Sequence, residues 1–364
     1  MIKVLFIAEN LSYGGAQKML TFVANNLDRS KYSVALLNEN SGAGIARPLN
    51  EDIEYYEHAK FTRKGVKRFE ELSEIIKIAR KVKPDVIVSF LTVPNFLSSV
   101  AGRRLNIPVI VSERGDPSRI TGKLGRFFLW YERKTDGAVF QTEGAKAAYP
   151  KQLQKKATVI PNPVVPVSVS RPFEYKKSLR SIAMVGRLEN AQKRYDIAVK
   201  AISVLRKRNI DVTLNLYGSG YDDKLICEIA ENESVSEETV LHGKVTQPLE
   251  KLLENDIFLL TSDYEGIPNA LIEAMSLGMP CVSTDCSPGG AAMLIQNGEN
   301  GLLVNAGDVE GVADAIERFI NDAELARSCG EKAKVINEIY APEKIIGMWN
   351  DYIEKVVEGN NERK

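Results

Sequence analysis

The sequence predicts an α/β chain built as two doubly wound domains with parallel sheets, on three observations. Short β-branched runs alternate with longer stretches of helical period in both halves, which is the pattern of βαβ units. Near the middle, Pro161-Asn162-Pro163-Val164-Val165-Pro166 interrupts that alternation, because fixed φ angles and missing N–H donors prevent regular structure. The length, 364 residues, exceeds what one hydrophobic core supports and calls for two domains.

In the first half, strands are expected at Lys3 to Ala8, Ser33 to Leu37, Asp85 to Phe90, Val109 to Ser112, Gly137 to Gln141 and Thr158 to Ile160. A helix over Ala16 to Leu27 puts Leu20, Val23, Ala24 and Leu27 on one stripe, and one over Glu70 to Val82 does so with Leu72, Ile75, Ile76 and Ala79. The proline segment and the polar stretch up to Leu179 form the linker. Strands then recur at Ser181 to Val185, Val212 to Tyr217, Val240 to His242, Ile257 to Leu260, Cys281 to Ser283 and Leu302 to Val304. A last helix from Pro342 carries the apolar stripe Ile345, Ile346, Trp349, Tyr352, Ile353 and Val356. The expected organisation is thus a Rossmann-like domain over 1–165, a second over 166–341 and a helix over 342–364 that returns to the first, the two domains facing a cleft.

Composition narrows the function. With 44% hydrophobic and 26% charged residues, the chain has the makeup of a globular protein, which excludes disordered and collagen-like classes. Cys227, Cys281, Cys286 and Cys329 form no CxxC pair, and His58 and His242 are the only imidazoles, which argues against a disulfide framework and a zinc site. No apolar run reaches the roughly 18 residues of a membrane span, and the apolar start at Met1 is too short for a signal peptide, so the expected location is cytoplasmic. Charge is polarised: residues 1–165 carry 26 Lys and Arg against 16 Asp and Glu, net +10, and the remainder is net −10. The densest positive run is Lys60, Arg63, Lys64, Lys67, Arg68, then Lys77, Arg80, Lys81 and Lys83. It flanks an amphipathic helix that could lie on an anionic membrane surface. Nucleic acid is the other anionic candidate, but no aromatic-rich RNA motif or recognition helix is present.

The most informative stretch is Thr261 to Met275. A buried strand ends at Leu260, and Pro268 suits the first turn of a helix that Gly278-Met279-Pro280 stops. The free N–H groups of Asn269 and Ala270, with that of Ile267 after Gly266, can bind phosphate oxygens with help from the helix dipole. Glu265 precedes the helix and Glu273 lies within it, so their carboxylates can meet different hydroxyls of one ligand. Arg187 and Lys193 follow the strand Ser181 to Val185, at the carboxyl edge where α/β sheets bind ligands, and two cations there neutralise a diphosphate.

Glu265-Gly266-Ile267-Pro268-Asn269 through Glu273-Ala274, with its E-x7-E spacing, resembles the retaining glycosyltransferases of family 4, which have the GT-B fold; the likeness extends from Gly14 to Trp349. The resemblance implies that Glu265 holds the hydroxyls of the transferred sugar and Glu273 the nucleotide ribose. It implies that Arg187 and Lys193 stabilise the leaving diphosphate, electrostatic catalysis aimed at charge that grows in the transition state. Family members commonly place this Lys five residues after the Arg, whereas the fifth here is Gln192 and the sixth Lys193. A loop longer by one residue keeps Lys193 in the role, with Arg194 the lesser substitute. The resemblance also implies donor contacts from Gly14 and Gly15, from the glycine loop Gly218-Ser219-Gly220, and from Lys244 and Val245 at the base. Where many members have a histidine after Ser-Glu, this chain has Arg114. Arg114 is expected at the donor sugar or its phosphate, and a buried pair with Glu113 or Asp116 is the competing account. His242 reads as a strand-end residue. Asp222-Asp223 and Asp263-x-Glu265 superficially match a metal-binding D-x-D, but the helix N-terminus, Arg187 and Lys193 already supply the positive field, so no metal or other cofactor is expected.

The implied activity is transfer of a hexose or N-acetylhexosamine from a nucleotide-sugar, expected to be a UDP-sugar, to a glycan or polyprenyl-linked acceptor in cell-surface polysaccharide or glycoconjugate synthesis. Three rivals stand beside it. A nucleotide-sugar epimerase of the same fold lacks the Glu265-Gly266-Ile267-Pro268 wording. A non-catalytic glycosyltransferase-like subunit is expected to have lost Arg187, Lys193 or Glu265. A dinucleotide oxidoreductase requires a G-x-G-x-x-G fingerprint that the loop at Gly14 lacks.

Overall fold

The computed structural model describes residues 1–12, 14–40, 44–58, 67–164 and 169–362. They form two compact units, Met1–Asn162 with Glu343–Lys364, and Pro163–Pro342. The division falls at Asn162 rather than in the proline segment's tail, because Val164 is buried in the second unit's core and its N–H donates to the Tyr340 carbonyl at 2.8 Å. Tyr13 and the cations Lys60, Arg63 and Lys64 lie outside the described residues.

The first unit holds a seven-stranded parallel sheet, β1 (Ile2–Ala8), β2 (Tyr32–Asn38), β3 (Glu54–Glu57), β4 (Val86–Phe90), β5 (Val109–Ser112), β6 (Gly137–Phe140) and β7 (Ala157–Val159), in the order β3-β2-β1-β4-β5-β6-β7. Helices cover it, so β1 and β4 are buried on both faces and read as unbroken apolar runs. Six of these strands coincide with expected ones to within a residue or two at either end. β3 was not expected: Glu54-Tyr55-Tyr56-Glu57 has charged ends and no β-branched residue, and it forms only as an edge strand paired with β2 through Ala35 to Asn38. From Glu343 onward the helix Pro342–Asn361 belongs to this unit, burying Ile345, Trp349, Tyr352, Ile353, Val356 and Val357 at helical spacing.

The second unit repeats the scheme with six parallel strands, β8 (Ser181–Val185), β9 (Thr213–Tyr217), β10 (Thr239–Gly243), β11 (Ile257–Leu260), β12 (Cys281–Asp285) and β13 (Leu302–Asn305), in the order β10-β9-β8-β11-β12-β13. In each unit the strand order reverses direction beside the first strand, between β1 and β4 and between β8 and β11. The crevice outside the carboxyl ends of strands at such a reversal is where doubly wound sheets bind ligands.

One buried acid makes the first unit's stability depend on pH. Glu39, at the exit of β2, is 4% exposed. Burial, reinforced by the Glu71 and Glu9 carboxylates and opposed by Arg68 and Lys67, pushes its pKa up to about 8. Between the ordinary carboxylate range and that value the folded chain keeps a proton that the unfolded chain has released, so stability falls as pH rises through this window. Glu39→Gln is therefore expected to raise the melting temperature at slightly alkaline pH and to leave it near wild type at mildly acidic pH. Thermal unfolding at the two pH values tests this, and an equal shift at both would assign the change to packing.

Candidate active site

The reversal between β8 and β11 brings together two of the residues singled out by the sequence, Lys193 and Glu265. After β8 the chain makes a tight segment and then one helical turn, Asn190–Lys193, which Arg194 ends in the left-handed conformation (φ 51°) before the helix Tyr195–Lys207 begins. That turn is tied to the exit of β11: the Thr261 hydroxyl donates to the Lys193 and Arg194 carbonyls at 2.8 and 3.0 Å, and the Asp263 N–H donates to the Gln192 carbonyl at 2.9 Å. The turn thereby carries Lys193 to Glu265, with Nζ 2.5 Å from Oε1. The extra residue in the spacing is absorbed by this helical turn, and the sixth residue, not the fifth, makes the ion pair.

Glu265 is held from several sides. Its Oε1 also accepts from the Ser262 hydroxyl at 2.9 Å, Oε2 accepts from Gln192 Nε2 at 3.4 Å, and its backbone N–H donates to the Ser287 carbonyl at 2.8 Å. Only 11% of its side chain is exposed, and 17% of that of Lys193, so the pair is screened far less than a surface one. Below it lies the buried Cys286, whose thiol pKa is pushed up to about 12 by burial and by the Glu265 charge. Arg194 does not share the role of Lys193. Its guanidinium spans Asp263 (2.9 and 3.0 Å) and Asp196 (2.9 and 3.1 Å), locking the turn to the loop. Asp263 and Glu265, the pair with D-x-D-like spacing, are therefore each engaged by a cation, and the described residues contain no group of three potential metal ligands.

Around this centre the backbone is close-packed. The helix Asn269–Leu277 starts after Pro268, which stands at the N-cap position, extended and without a side-chain capping bond, one residue before the first turn expected for it, so the first N–H groups, from Asn269 and Ala270 onward, are the ones lacking intrahelical acceptors. Glu273 lies partly buried in its second turn. The Gly266 carbonyl sits where Gly290 approaches, only 2.2 Å from the position a Cβ would take there. Ile267 is 4% exposed and packs in the core. Gly218 and Gly220 serve the backbone: at φ 148° a Gly218 Cβ would lie 1.8 Å from the Gly186 carbonyl oxygen, and a Gly220 Cβ 2.0 Å from that of Leu188. Their absent side chains let the loop after β9 press against the loop after β8. Lys244 and Val245 line a surface cavity of about 660 Å³ with Ser170, Thr246 and Gln247. His242 is the strand-end residue expected, stacked on Tyr217 (4.5 Å) and bonded to Asn215 (2.8 Å).

Arg187 stands apart. Its side chain is 75% exposed, with Nη2 3.3 Å from the half-exposed Glu189, a pairing that holds it weakly. In the first unit, Arg114 is buried at the carboxyl edge of β5. Its Nη2 donates to Asn162 Oδ1 and its Nη1 to the Ser112 hydroxyl at 3.4 Å, and the guanidinium lies 5.7 Å from the Phe90 ring. The Glu113 charge acts on the buried guanidinium without a direct ion pair: its carboxylate accepts from the backbone N–H of Arg114 and the Thr92 hydroxyl, both at 2.9 Å, and Asp116 accepts from the Ser118 N–H. Asn162, read in the sequence as linker, is the anchor, accepting from Gln141 Nε2 at 2.9 Å as well. Gly14 and Gly15 end the loop after β1 and open the helix Gly15–Asn26. The sequence reading missed Ser262, Gln192 and Asn162. Ser262, three residues before Glu265, was the most readable, since hydroxyls commonly bond side chains and backbone within such turns.

Two doubly wound units with parallel sheets, the second with its charged residues at the strand-order reversal, define an α/β protein of the GT-B fold. The family model described as Glycosyltransferase Family 4 matches residues 13–168, and that described as Glycosyl transferases group 1 matches 170–335. A glycosyltransferase of Haemophilus influenzae is 25% identical over 358 residues, 96% of this chain and 99% of its own. A Campylobacter jejuni enzyme, GalNAc-alpha-(1->4)-GalNAc-alpha-(1->3)-diNAcBac-PP-undecaprenol alpha-1,4-N-acetyl-D-galactosaminyltransferase, is 26% identical over 92% of this chain and 93% of its own. Among solved structures, Anabaena HepE in complex with UDP-glucose superposes with a TM-score of 0.79 over 98% of this chain and 100% of its own at 16% identity, a likeness of fold. The chain belongs to the family 4 type of glycosyltransferases, and it is an enzyme of that class.

Proposed function

We propose that this glycosyltransferase retains anomeric configuration, takes a UDP-hexose or UDP-N-acetylhexosamine as donor, and transfers the sugar to a glycan or polyprenyl-linked acceptor in the synthesis of a cell-surface polysaccharide or glycoconjugate. The observation that carries the reading is the Lys193–Glu265 pair, held at the strand-order reversal beside the N-terminus of the helix Asn269–Leu277. In this reading, Lys193, Arg187 and the first N–H groups of that helix meet the diphosphate, while Glu265 takes the sugar hydroxyls and Glu273 the ribose. The bond between the anomeric carbon and the phosphate oxygen breaks as the acceptor oxygen bonds on the same face, and the acceptor's proton passes to the departing phosphate. For Arg114, with Gly14 and Gly15, the proposed role is contact with the donor's sugar or phosphate, and for Lys244 and Val245, contact with the base. Support for the acceptor and donor comes from the relatives: the Campylobacter enzyme acts on an undecaprenol-linked glycan, and the Anabaena protein binds UDP-glucose.

The test is a panel of nucleotide-sugars incubated with the protein and isolated membranes, scored by UDP or GDP release, with and without EDTA. One UDP-sugar is expected to be consumed only when membranes are present. Release is expected to persist in EDTA, because Asp263 and Glu265 are already occupied by Arg194 and Lys193. Consumption without any acceptor would favour the epimerase reading, and an absolute need for a divalent cation would overturn the metal-free one.

A further inference from the structure

In its described part, the positive run chosen from the sequence as a membrane face has three of its cations paired with acids on the same helix. In the helix Lys67–Val82, Lys67 and Arg68 both pair with Glu71, Lys77 pairs with Glu74, and the Lys81 ammonium sits 4.7 Å over the Tyr56 ring. The helix Gly122–Glu132 presents the opposite picture. Leu124 (65% exposed), Phe127 (46%) and Trp130 (44%) stand on successive turns of one face. Phe127 stacks on Trp130 at 5.9 Å, so the ridge is continuous, and behind it Phe128 is fixed by stacking on Phe96 at 4.2 Å. Large apolar side chains displayed together in this way mark an interaction surface.

Cations surround that ridge. Lys123 and Arg126 are exposed beside it, the Arg133 guanidinium lies 4.2 Å over the Trp130 ring, and the Lys134 ammonium lies 5.0 Å from it. The neighbouring helix Thr92–Leu105 ends in the exposed Arg103 and Arg104, and Arg103 lines one cavity together with Lys134. Neither helix carries an exposed acid: Glu132 is the one carboxylate in the two and is wholly buried. An aromatic ridge with a Trp, flanked by long cationic side chains, with the partly buried Asp136 beside Arg103 and Lys134 as a neighbouring acid, is complementary to one environment above others. It is the headgroup boundary of an anionic bilayer, where Trp seats in the interface and Lys and Arg reach phosphate. No helix among the described residues is long and apolar enough to cross a membrane, so attachment through this face is peripheral.

We propose that the helix Gly122–Glu132, through Leu124, Phe127 and Trp130 with the cations around them, is the surface by which this protein docks on an anionic lipid bilayer. The inference does not depend on the donor or the reaction, and it is tested without either. The chain has two tryptophans, and Trp349 is fully buried, so a change in emission on adding vesicles reports on Trp130. With wild-type protein, vesicles of phosphatidylglycerol and phosphatidylcholine in equal parts are expected to shift the emission to the blue, and brominated acyl chains to quench it. Pure phosphatidylcholine vesicles are expected to do neither. Raising salt is expected to weaken the binding, as the screening length falls from about 10 Å at 0.1 M to about 3 Å at 1 M. In flotation, Phe127→Ser with Trp130→Ser is expected to lower partitioning at least about tenfold, while Arg80→Gln with Lys81→Gln leaves it unchanged. The proposal is overturned if wild-type emission does not respond to anionic vesicles, or if the second variant releases the protein and the first does not. It is also overturned if the emission is already blue and depends on protein concentration without lipid, which would assign the ridge to contact between copies of the chain.

Discussion

Lys193→Ala is expected to lower kcat by about a hundredfold or more, the usual cost of removing one fixed positive group from developing negative charge. Glu265→Gln is expected to do comparable damage by a different route, since the neutral amide keeps the shape but does not hold Lys193 by charge, and its NH2 group cannot accept from Gln192 as Oε2 does. The two side chains act as a unit, with Nζ 2.5 Å from Oε1, so the double variant is expected to be little worse than either single one; such non-additivity is the signature of coupled groups. Lys193→Arg is not expected to restore activity, because a planar fork cannot replace a compact ammonium in a space shared with Ser262 and Gln192.

Loss of the pair also affects folding, and the two effects are separable. Removing Lys193 leaves a mostly buried carboxylate without its cation, which destabilises the second unit; the Ser262 and Gln192 contacts remain and limit that cost. Arg187 provides the control. Because its side chain is 75% exposed and weakly paired, Arg187→Ala is expected to leave the unfolding curve within about 0.5 kcal/mol of wild type while still depressing kcat. Measurements of turnover and thermal unfolding on the same purified variants decide the matter. Near-normal turnover in folded Lys193→Ala or Glu265→Gln would remove the pair from the reaction, whatever happens to Arg187.

The parallel sheets were legible because strands buried on both faces must be continuously apolar, and Ile257–Leu260 or Val86–Phe90 admit no other reading once helical stretches flank them. The edge strand Glu54–Glu57 was not, since only its pairing with β2 makes it a strand. At the site, Glu265 and the helix after Pro268 could be read from local chemistry, whereas the ion pair could not: it depends on a one-turn helix ending in a left-handed arginine. Propensity gives no reason to expect that conformation at Arg194, and the bidentate grip of Asp263 and Asp196 supplies it. A count of cations picks out the segment ending at Lys83 but does not see the acids one turn away, where Lys67 and Arg68 meet Glu71 and Lys77 meets Glu74.

Trp349→Ala is expected to destabilise the first unit by about 3–5 kcal/mol, the range for deleting a buried large aromatic side chain. Trp349 is 0% exposed and is among the largest wholly buried side chains, stacked on Phe90 of β4 at 5.8 Å with the ring planes 17° apart. Its loss leaves a cavity between the helix Pro342–Asn361 and the sheet that polar contacts prevent from closing. The Tyr352 hydroxyl accepts from the Ala138 N–H at 2.8 Å and donates to the Lys156 carbonyl, and the Tyr32 hydroxyl donates to the Asn350 carbonyl at 3.1 Å. Gly137 completes the fit, since a Cβ there would come within 2.7 Å of the Tyr352 oxygen. For a unit of this size the loss corresponds to a fall of roughly 10 °C in melting temperature. Trp349→Phe is the informative companion: the indole N–H has no acceptor among the described residues, so the smaller ring forfeits volume but no hydrogen bond, and its cost is expected to be well under half that of alanine. Differential scanning calorimetry of the three proteins separates these outcomes. A melting temperature for Trp349→Ala within about 2 °C of wild type would mean that the polar contacts, not the buried indole, hold the terminal helix on the sheet.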